Sequence, residues 1–406
     1  MQKYLSFPYF YIIAWIIFSL TPYVYHSTKL ITVLLYFFVG TALYYSLYAV
    51  ANFKLPAYFR TTFAFVFFLS IYGIGLIVLG DDVYIQFIGS YIKKENYFIW
   101  LIISLLTSVP IYVFTCRGQI DEKGMKKIFF VMLATSIYAF YGSIKIQLQL
   151  AEINGVMQED FTITSVYALL SIIPLLVIFE NNVFLQIVLL GISSVYLILS
   201  AKRGAIILGS CCIAVLVWNV IYHSPVKKKL LVLLIALAFV VGVYEFVLYQ
   251  LNTNPYFVYR VNQTLEGYTS GRDVYSRNVL NYFETVPIKS FLFGIGAQGT
   301  LGVNESFAHN DWLAILLEQG LVGFVMYLFY WLGFFYSWVK SRSVSECFVA
   351  IGLLFVIGLG KTFFSMYYLP VSLEMIMSSG FFAIVLGYFL AKAFPQEFLQ
   401  MKKCNV

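Results

Sequence analysis

Apolar stretches of roughly 20 residues recur along the chain, and that is the length an α-helix needs to cross the hydrocarbon core of a bilayer. A soluble domain could not hide them, because 61% of the 406 residues are hydrophobic and only 11% are charged. In lipid the backbone must satisfy its own hydrogen bonds, which a helix does within each segment. The chain is therefore predicted to be an all-α, polytopic integral membrane protein of about twelve transmembrane helices. The expected spans are 7–25, 30–50, 61–79, 97–116, 127–146, 161–179, 183–200, 204–222, 230–248, 321–339, 347–366 and 371–394. No short-period repeat or internal duplication appears, so 1–406 reads as a single membrane domain.

Cytoplasmic loops retain Lys and Arg during insertion. With the N-terminus inside, fifteen of the 26 basic residues fall on the inner side, seven in short outer turns and four in the one long outer connection. Both termini are thus expected in the cytoplasm, with the long connection on the periplasmic or exterior side. The first stretch has one lysine before it and no small-residue cleavage pattern after it, so a retained helix is expected. Five cysteines, Cys116, Cys211, Cys212, Cys347 and Cys404, fall in spans or on the inner side and imply no disulfide framework. The net charge of +7 suits anionic inner-leaflet lipid and gives no reason to invoke nucleic acid.

The long connection, residues 250–311 between spans nine and ten, is the hydrophilic excursion in which soluble-phase chemistry has room. Ser270-Gly271-Arg272-Asp273 resembles a capping box, and the apolar pattern after it predicts an amphipathic helix ending before Pro287. Phe291 to Gly296 and Gly299 read as a turn-rich connection where glycine allows close backbone approach; the spacing is wrong for a dinucleotide fingerprint. Asn310 is expected to cap a short helix that stops at Gly320.

Within this frame a few side chains could carry chemistry. His309 is one of three histidines, and imidazole is the group best poised at neutral pH to take a proton from a hydroxyl. The alternative is an interfacial histidine that only bonds the helix start. No second His or Cys stands at ligand spacing, so no metal site is expected. Lys202 and Arg203 sit in an almost absent outer turn, where snorkelling to headgroups competes with an inward Arg203 that grips a phosphate. Arg277 stands four residues after Asp273, as an ordinary helical ion pair would. Arg272 has no such partner and occupies a helix start, where backbone N–H groups favour anions. Arg260 reads as a solvated charge.

Ser200-Ala201-Lys202-Arg203-Gly204 at a helix junction, Gly271-Arg272 opening a loop helix, Pro287 followed by Phe293-Gly294-Ile295-Gly296, and His309-Asn310 followed by Leu316, Glu318, Gly320 and Gly323 together resemble the O-antigen ligase and O-antigen polymerase superfamily. The resemblance covers 196–327; the earlier spans share only number and hydrophobicity. It implies a metal-independent, inverting glycosyltransferase of the bacterial inner membrane, with an architecture similar to the GT-C type, no cofactor and an active site facing the periplasm. The implied donor is an undecaprenyl-diphosphate-linked oligosaccharide. The other implied partners are an acceptor glycan, the lipid bilayer and a chain-length regulator.

Carried over residue by residue, Arg203 and Arg272 match the arginines that stabilise the donor diphosphate, and His309 matches the general base. Lys202, Arg277, Asn310 and Tyr275 are expected to line the substrate, the tyrosine stacking on a sugar ring. Lys202 before Arg203 and the lack of a Trp shortly after Arg272 depart from the commoner pattern and bear on the branch of the family. The aromatic-rich divergence points to a polymerase that extends lipid-linked repeat units, with a ligase that transfers glycan to lipid A-core as the alternative. A flippase or other transporter is the non-enzyme alternative, on the strength of Glu180, Glu245, Lys361 and Glu374 near or within spans.

Overall fold

The computed structural model describes residues 6–24, 28–79, 84–87, 90–93, 101–102, 104–154, 163–224, 226–267, 271–297, 299–304, 309–364 and 373–395. Seven of the expected spans are helices long and apolar enough to cross a membrane. The other five coincide with shorter apolar helices, Phe7–Thr21, Ser104–Cys116, Val166–Phe179, Val183–Leu199 and Met377–Ala393. In chain order the helices are α1 (Phe7–Val24), α2 (Thr28–Asn52), α3 (Ala57–Leu79), α4 (Ser108–Cys116), α5 (Glu122–Asn154), α6 (Val166–Ile172), α7 (Val183–Leu199), α8 (Arg203–His223) and α9 (Val226–Thr253). They continue with α10 (Pro255–Leu265), α11 (Arg272–Thr285), α12 (Ile288–Phe293), α13 (Gly299–Asn304), α14 (Asp311–Lys340), α15 (Ser345–Phe364) and α16 (Leu373–Ala393).

Lipid rather than water explains where the apolar surface goes. α9 leaves Leu230, Leu231, Leu233, Leu234, Leu237 and Val240 exposed, an outer face that only a hydrocarbon environment tolerates. α16 takes the opposite position, with every described residue from Phe381 to Ala391 buried where it runs against α4 and α6. α6 passes without a break into a 3-10 segment, Ile173–Phe179, that carries Pro174 near its start. All its residues are buried, so neighbouring helices hold a conformation that is usually short-lived as a free segment.

The all-α expectation needs one correction. Between α3 and α4 the chain holds a two-stranded antiparallel hairpin, β1 (Tyr84–Phe87) and β2 (Ser90–Lys93), pairing Tyr84 with Lys93 and Ile85 with Ile92. Ile and Tyr on both arms favour extended pairing over a solvated loop. The long connection is partly helical, as expected, and holds α10, α11, α12 and α13. α10 starts where Asn254 accepts a hydrogen bond from Phe257 N (3.2 Å) and Pro255 takes the first helical position, whose N–H has no helical partner to lose.

Candidate functional site

Helix starts build the site. α7 ends at Leu199 and α8 begins at Arg203, so the turn between them is only a few residues. Buried Ser200 fixes it, donating from Oγ to Leu197 O (2.7 Å) and accepting from Lys202 N (3.2 Å). Ala201 is forced to a left-handed φ of 47°, and Phe257 of α10 packs against it and Ile198. Lys202 and Arg203 emerge half-buried at the N-terminus of α8, which has no side-chain cap. α11 opens the same way: Gly271, at φ 76°, is its uncapped first residue and Arg272 follows in the first helical position. The expected capping box is therefore not the device that starts this helix, because glycine takes the cap position; Ser270 lies outside the described residues. Two helix N-termini without a side-chain cap hydrogen bond, each led by an arginine, are suited to an anion.

The third start is α14. Asn310 caps it as expected, its Oδ1 accepting from Trp312 N (3.0 Å) and Leu313 N (3.3 Å). His309, immediately before it, has a left-handed φ of 49°. Among the described residues Ala201 and His309 are the non-glycine positions with positive φ, and both border the same cluster of cations. Such backbone costs on the order of 1–3 kcal/mol and persists where the surroundings impose it. Burial first, then the positive charges of Arg272 and Lys202, push the His309 imidazole down from 6.5 to about 4. Burial also lowers Arg272, with Tyr167 opposing and Arg260 adding to the depression. His309 is thus a neutral imidazole facing two cations at physiological pH.

The structure brings together Arg272, Lys202 and His309, and sets Arg203 beside Lys202. Of that adjacent pair, Lys202 is the one whose charge acts on His309. Arg277 lies exposed further along α11, Asn310 is engaged in capping, and Tyr275 lies over Gly271. Arg260, read as a solvated charge, is half-buried and close enough to Arg272 for their charges to interact.

Behind these residues lies a layer that sequence reasoning did not assemble. Lys361, singled out in the sequence as an ionisable group near or within a span, is in the last turn of α15 and 2% exposed. Its Nζ donates to Ser378 Oγ (2.7 Å) and lies 5.1 Å from the centre of the Tyr167 ring. Its charge interacts with that of Asp311, which is fully buried two residues after His309 and accepts from Tyr327 Oη (3.3 Å). Trp312 Nε1 donates to Thr362 Oγ1 (2.8 Å), tying the same turn of α14 to α15. An ionisable side chain near or within a span was the signal that singled out Lys361; its partners Asp311, Ser378 and Tyr167 had no such signal. Lys361→Met should lower thermal stability by about 3–5 kcal/mol, because it takes a cationic neighbour from the buried Asp311 carboxylate. Adding Asp311→Asn should recover part of that loss; in a double-mutant cycle of detergent melts, simple additivity of the two changes would show that the charges are not coupled.

A backbone clasp holds the α14 start in place. After α12 the chain runs extended, so that Ile295 N donates to Leu317 O (3.0 Å) and Gly296 N to Glu318 O (3.0 Å). Gly294 (φ 75°, ψ −176°) lies on the Glu318–Gln319 peptide, and Gly320 (φ 69°, ψ −167°) lies on Leu292 and Gly294. Gly320 interrupts α14, as expected, so that Asp311–Gln319 is a short helix in its own right. Tyr72 of α3 shares its hydroxyl between the carbonyls of Phe293 (2.8 Å) and Glu318. The close glycine approach was expected, whereas Phe291–Phe293 turn out to be helical.

No curated protein matches the chain at a significant level. Residues 188–328, which include every side chain of the cationic cluster, match the family model described as O-antigen ligase, so this part of the chain is similar to that family.

Proposed function

We propose that the protein is a metal-independent, inverting glycosyltransferase that extends undecaprenyl-diphosphate-linked repeat units at the periplasmic face of the inner membrane. The observation that supports this best is the neutral His309 held beside Arg272 and Lys202, a base and an anion site within one small cluster. The acceptor hydroxyl gives its proton to the imidazole while its oxygen attacks the anomeric carbon from the face opposite the diphosphate. The bond from that carbon to the diphosphate oxygen breaks, and the electron pair leaves with the lipid diphosphate. Arg272, Arg203, Lys202 and the first-turn N–H groups of α8 and α11 stabilise the charge that develops there, the task a metal performs in other transferases. Arg277, Asn310 and Tyr275 complete the substrate surface in this reading. The activity should therefore survive EDTA.

A ligase transferring glycan to lipid A-core is the second reading, favoured by the description of the matching family. Glycans of a deletion strain separate the readings. A single repeat unit on lipid A-core indicates a missing polymerase, lipid-linked polymer with bare core a missing ligase, and unflipped cytoplasmic repeat units a transporter.

The pH dependence has a defined sign. With substrate absent His309 titrates at about 4, so kcat/KM should hold from neutrality down towards that pH and fall below it. Bound diphosphate raises the imidazole, so the acid limb of kcat should lie at higher pH than that of kcat/KM. Lys202→Gln removes one of the cations and should move the kcat/KM limb upward; a downward shift would contradict the electrostatics. The unfolded histidine takes up its proton near 6.5 and the native one only at about 4, so its contribution to stability is present above 6.5 and is lost as pH falls through that window.

A further inference from the structure

The elbow between α9 and α10 bounds an open surface cavity of about 370 Å³, within the size range of small-ligand sites. Asn252, Asn254, Pro255, Val258, Tyr259 and Asn262 are among its lining residues, and no charged side chain lines it. We propose that this cavity is a subsite for an uncharged sugar unit of the glycan chain. The proposal rests on the glycosyl-transfer reading above.

Placement and chemistry carry it. Asn254 is committed to the elbow, accepting from Phe257 N and donating from Nδ2 to Gln250 Oε1 (2.9 Å), so the cavity has a fixed wall. Asn252 and Asn262 are exposed, and among the described residues their carboxamides are not engaged in protein hydrogen bonds. A carboxamide donates and accepts at once, as neighbouring sugar hydroxyls require. Tyr259 is half-buried and adds an aromatic face with a polar edge for the C–H side of a pyranose ring.

α10 also separates two chemistries. Pro255, Val258, Tyr259 and Asn262 recur at helical spacing along the cavity face. Other positions of the same helix turn to the cationic cluster: Phe257 is buried on Ala201, and the charge of Arg260 acts on Arg272. A neutral, hydrogen-bonding surface and an anion site thus stand about a helix width apart, roughly 10 Å. A substrate whose diphosphate lies at Arg272 has its uncharged sugars to place within that distance.

The test uses the full chain in nanodiscs and, as probe, the repeat-unit oligosaccharide released by mild acid from the cell's own lipid-linked precursor. Saturation-transfer NMR should show sugar protons in contact with the wild type. Tyr259→Ala and the double variant Asn252→Ala/Asn262→Ala should each weaken that binding about tenfold, the loss of one or two hydrogen bonds or a stacking contact. The KM for the lipid-linked substrate should rise by a similar factor with kcat within about twofold, while Tyr259→Phe keeps wild-type KM. These positions are exposed or half-buried, and unchanged melting temperatures establish that the variants are folded. Wild-type sugar contacts and wild-type KM in both variants, with His309→Asn inactive, would overturn the subsite and leave the reaction standing. An active His309→Asn would instead overturn the reaction on which the subsite rests.

Discussion

Replacing His309 should lower glycan transfer about 100- to 10,000-fold, the range a positioned general base contributes, while the protein still inserts and melts normally. Asparagine is the sharper replacement, because it tolerates the left-handed backbone found there at φ 49° and cannot accept a proton from a hydroxyl. Arg272→Ala should cost about 100- to 1,000-fold, as loss of an oriented donor to a developing oxyanion does. Arg272→Lys should recover little, because a single ammonium does not reproduce the two-pronged grip of guanidinium on phosphate oxygens. The measurement is the ladder of chain lengths formed by purified protein from lipid-linked donor. A His309→Asn protein that builds the wild-type ladder at the wild-type rate removes the base from His309. An Arg272→Ala protein with unchanged kcat and raised KM confines that arginine to ground-state binding.

The second large effect is on the fold. Gly294 and Gly320 each occupy a region of φ and ψ essentially reserved for glycine, and a Cβ on either would fall on the other segment's backbone. Neither clash is relieved by rotating a side chain. Gly320→Ala and Gly294→Ala should each destabilise by on the order of 3 kcal/mol or more, combining conformational strain with disruption of a packed backbone contact. Activity should fall with stability, since the clasp leads directly into the helix whose start bears His309. Gly302→Ala is the control: it lies in α13 with nothing within 4 Å of its would-be Cβ, so its melt should match wild type. Equal melting temperatures for Gly302→Ala and Gly320→Ala would mean that the clasp does not hold this end of the bundle together.

What could be read from the sequence follows a physical divide. The Asn310 cap, the Gly320 break and the helix from Arg272 were legible because each rests on a local rule: a side-chain oxygen meeting free N–H groups, a glycine-only backbone, an amphipathic period. Apolar runs likewise gave the positions of the helices. Lys361 was visible as an ionisable group near or within a span, but its surroundings were not: Ser378, Tyr167 and Asp311 from three other elements make its buried position tenable. The 3-10 passage at Ile173–Phe179 and the left-handed turn at Ala201 likewise depend on tertiary neighbours, which no local pattern encodes. For the candidate site, the arginines and the histidine were visible as motifs. That Lys202 acts on His309, and that Arg260 stands behind Arg272, required the fold.

The clasp has one more consequence. Hydrogen bonds joining 295–296 to 317–318 close the intervening chain into a ring, and His309 lies on that ring. The Asn310 cap and the clasp bracket the short helix that follows His309, whereas α10 and α11 precede the clasp in the chain. Substitutions on the outer faces of those helices can change which glycan is admitted without displacing the base. A one-residue deletion within Asp311–Leu316, between His309 and the clasp, should shift the base by about one helical residue's rise and rotation. Tolerance to insertion should therefore be lower between Asp311 and Leu316, which join the base to the clasp, than at the exposed end of α10 around Glu266.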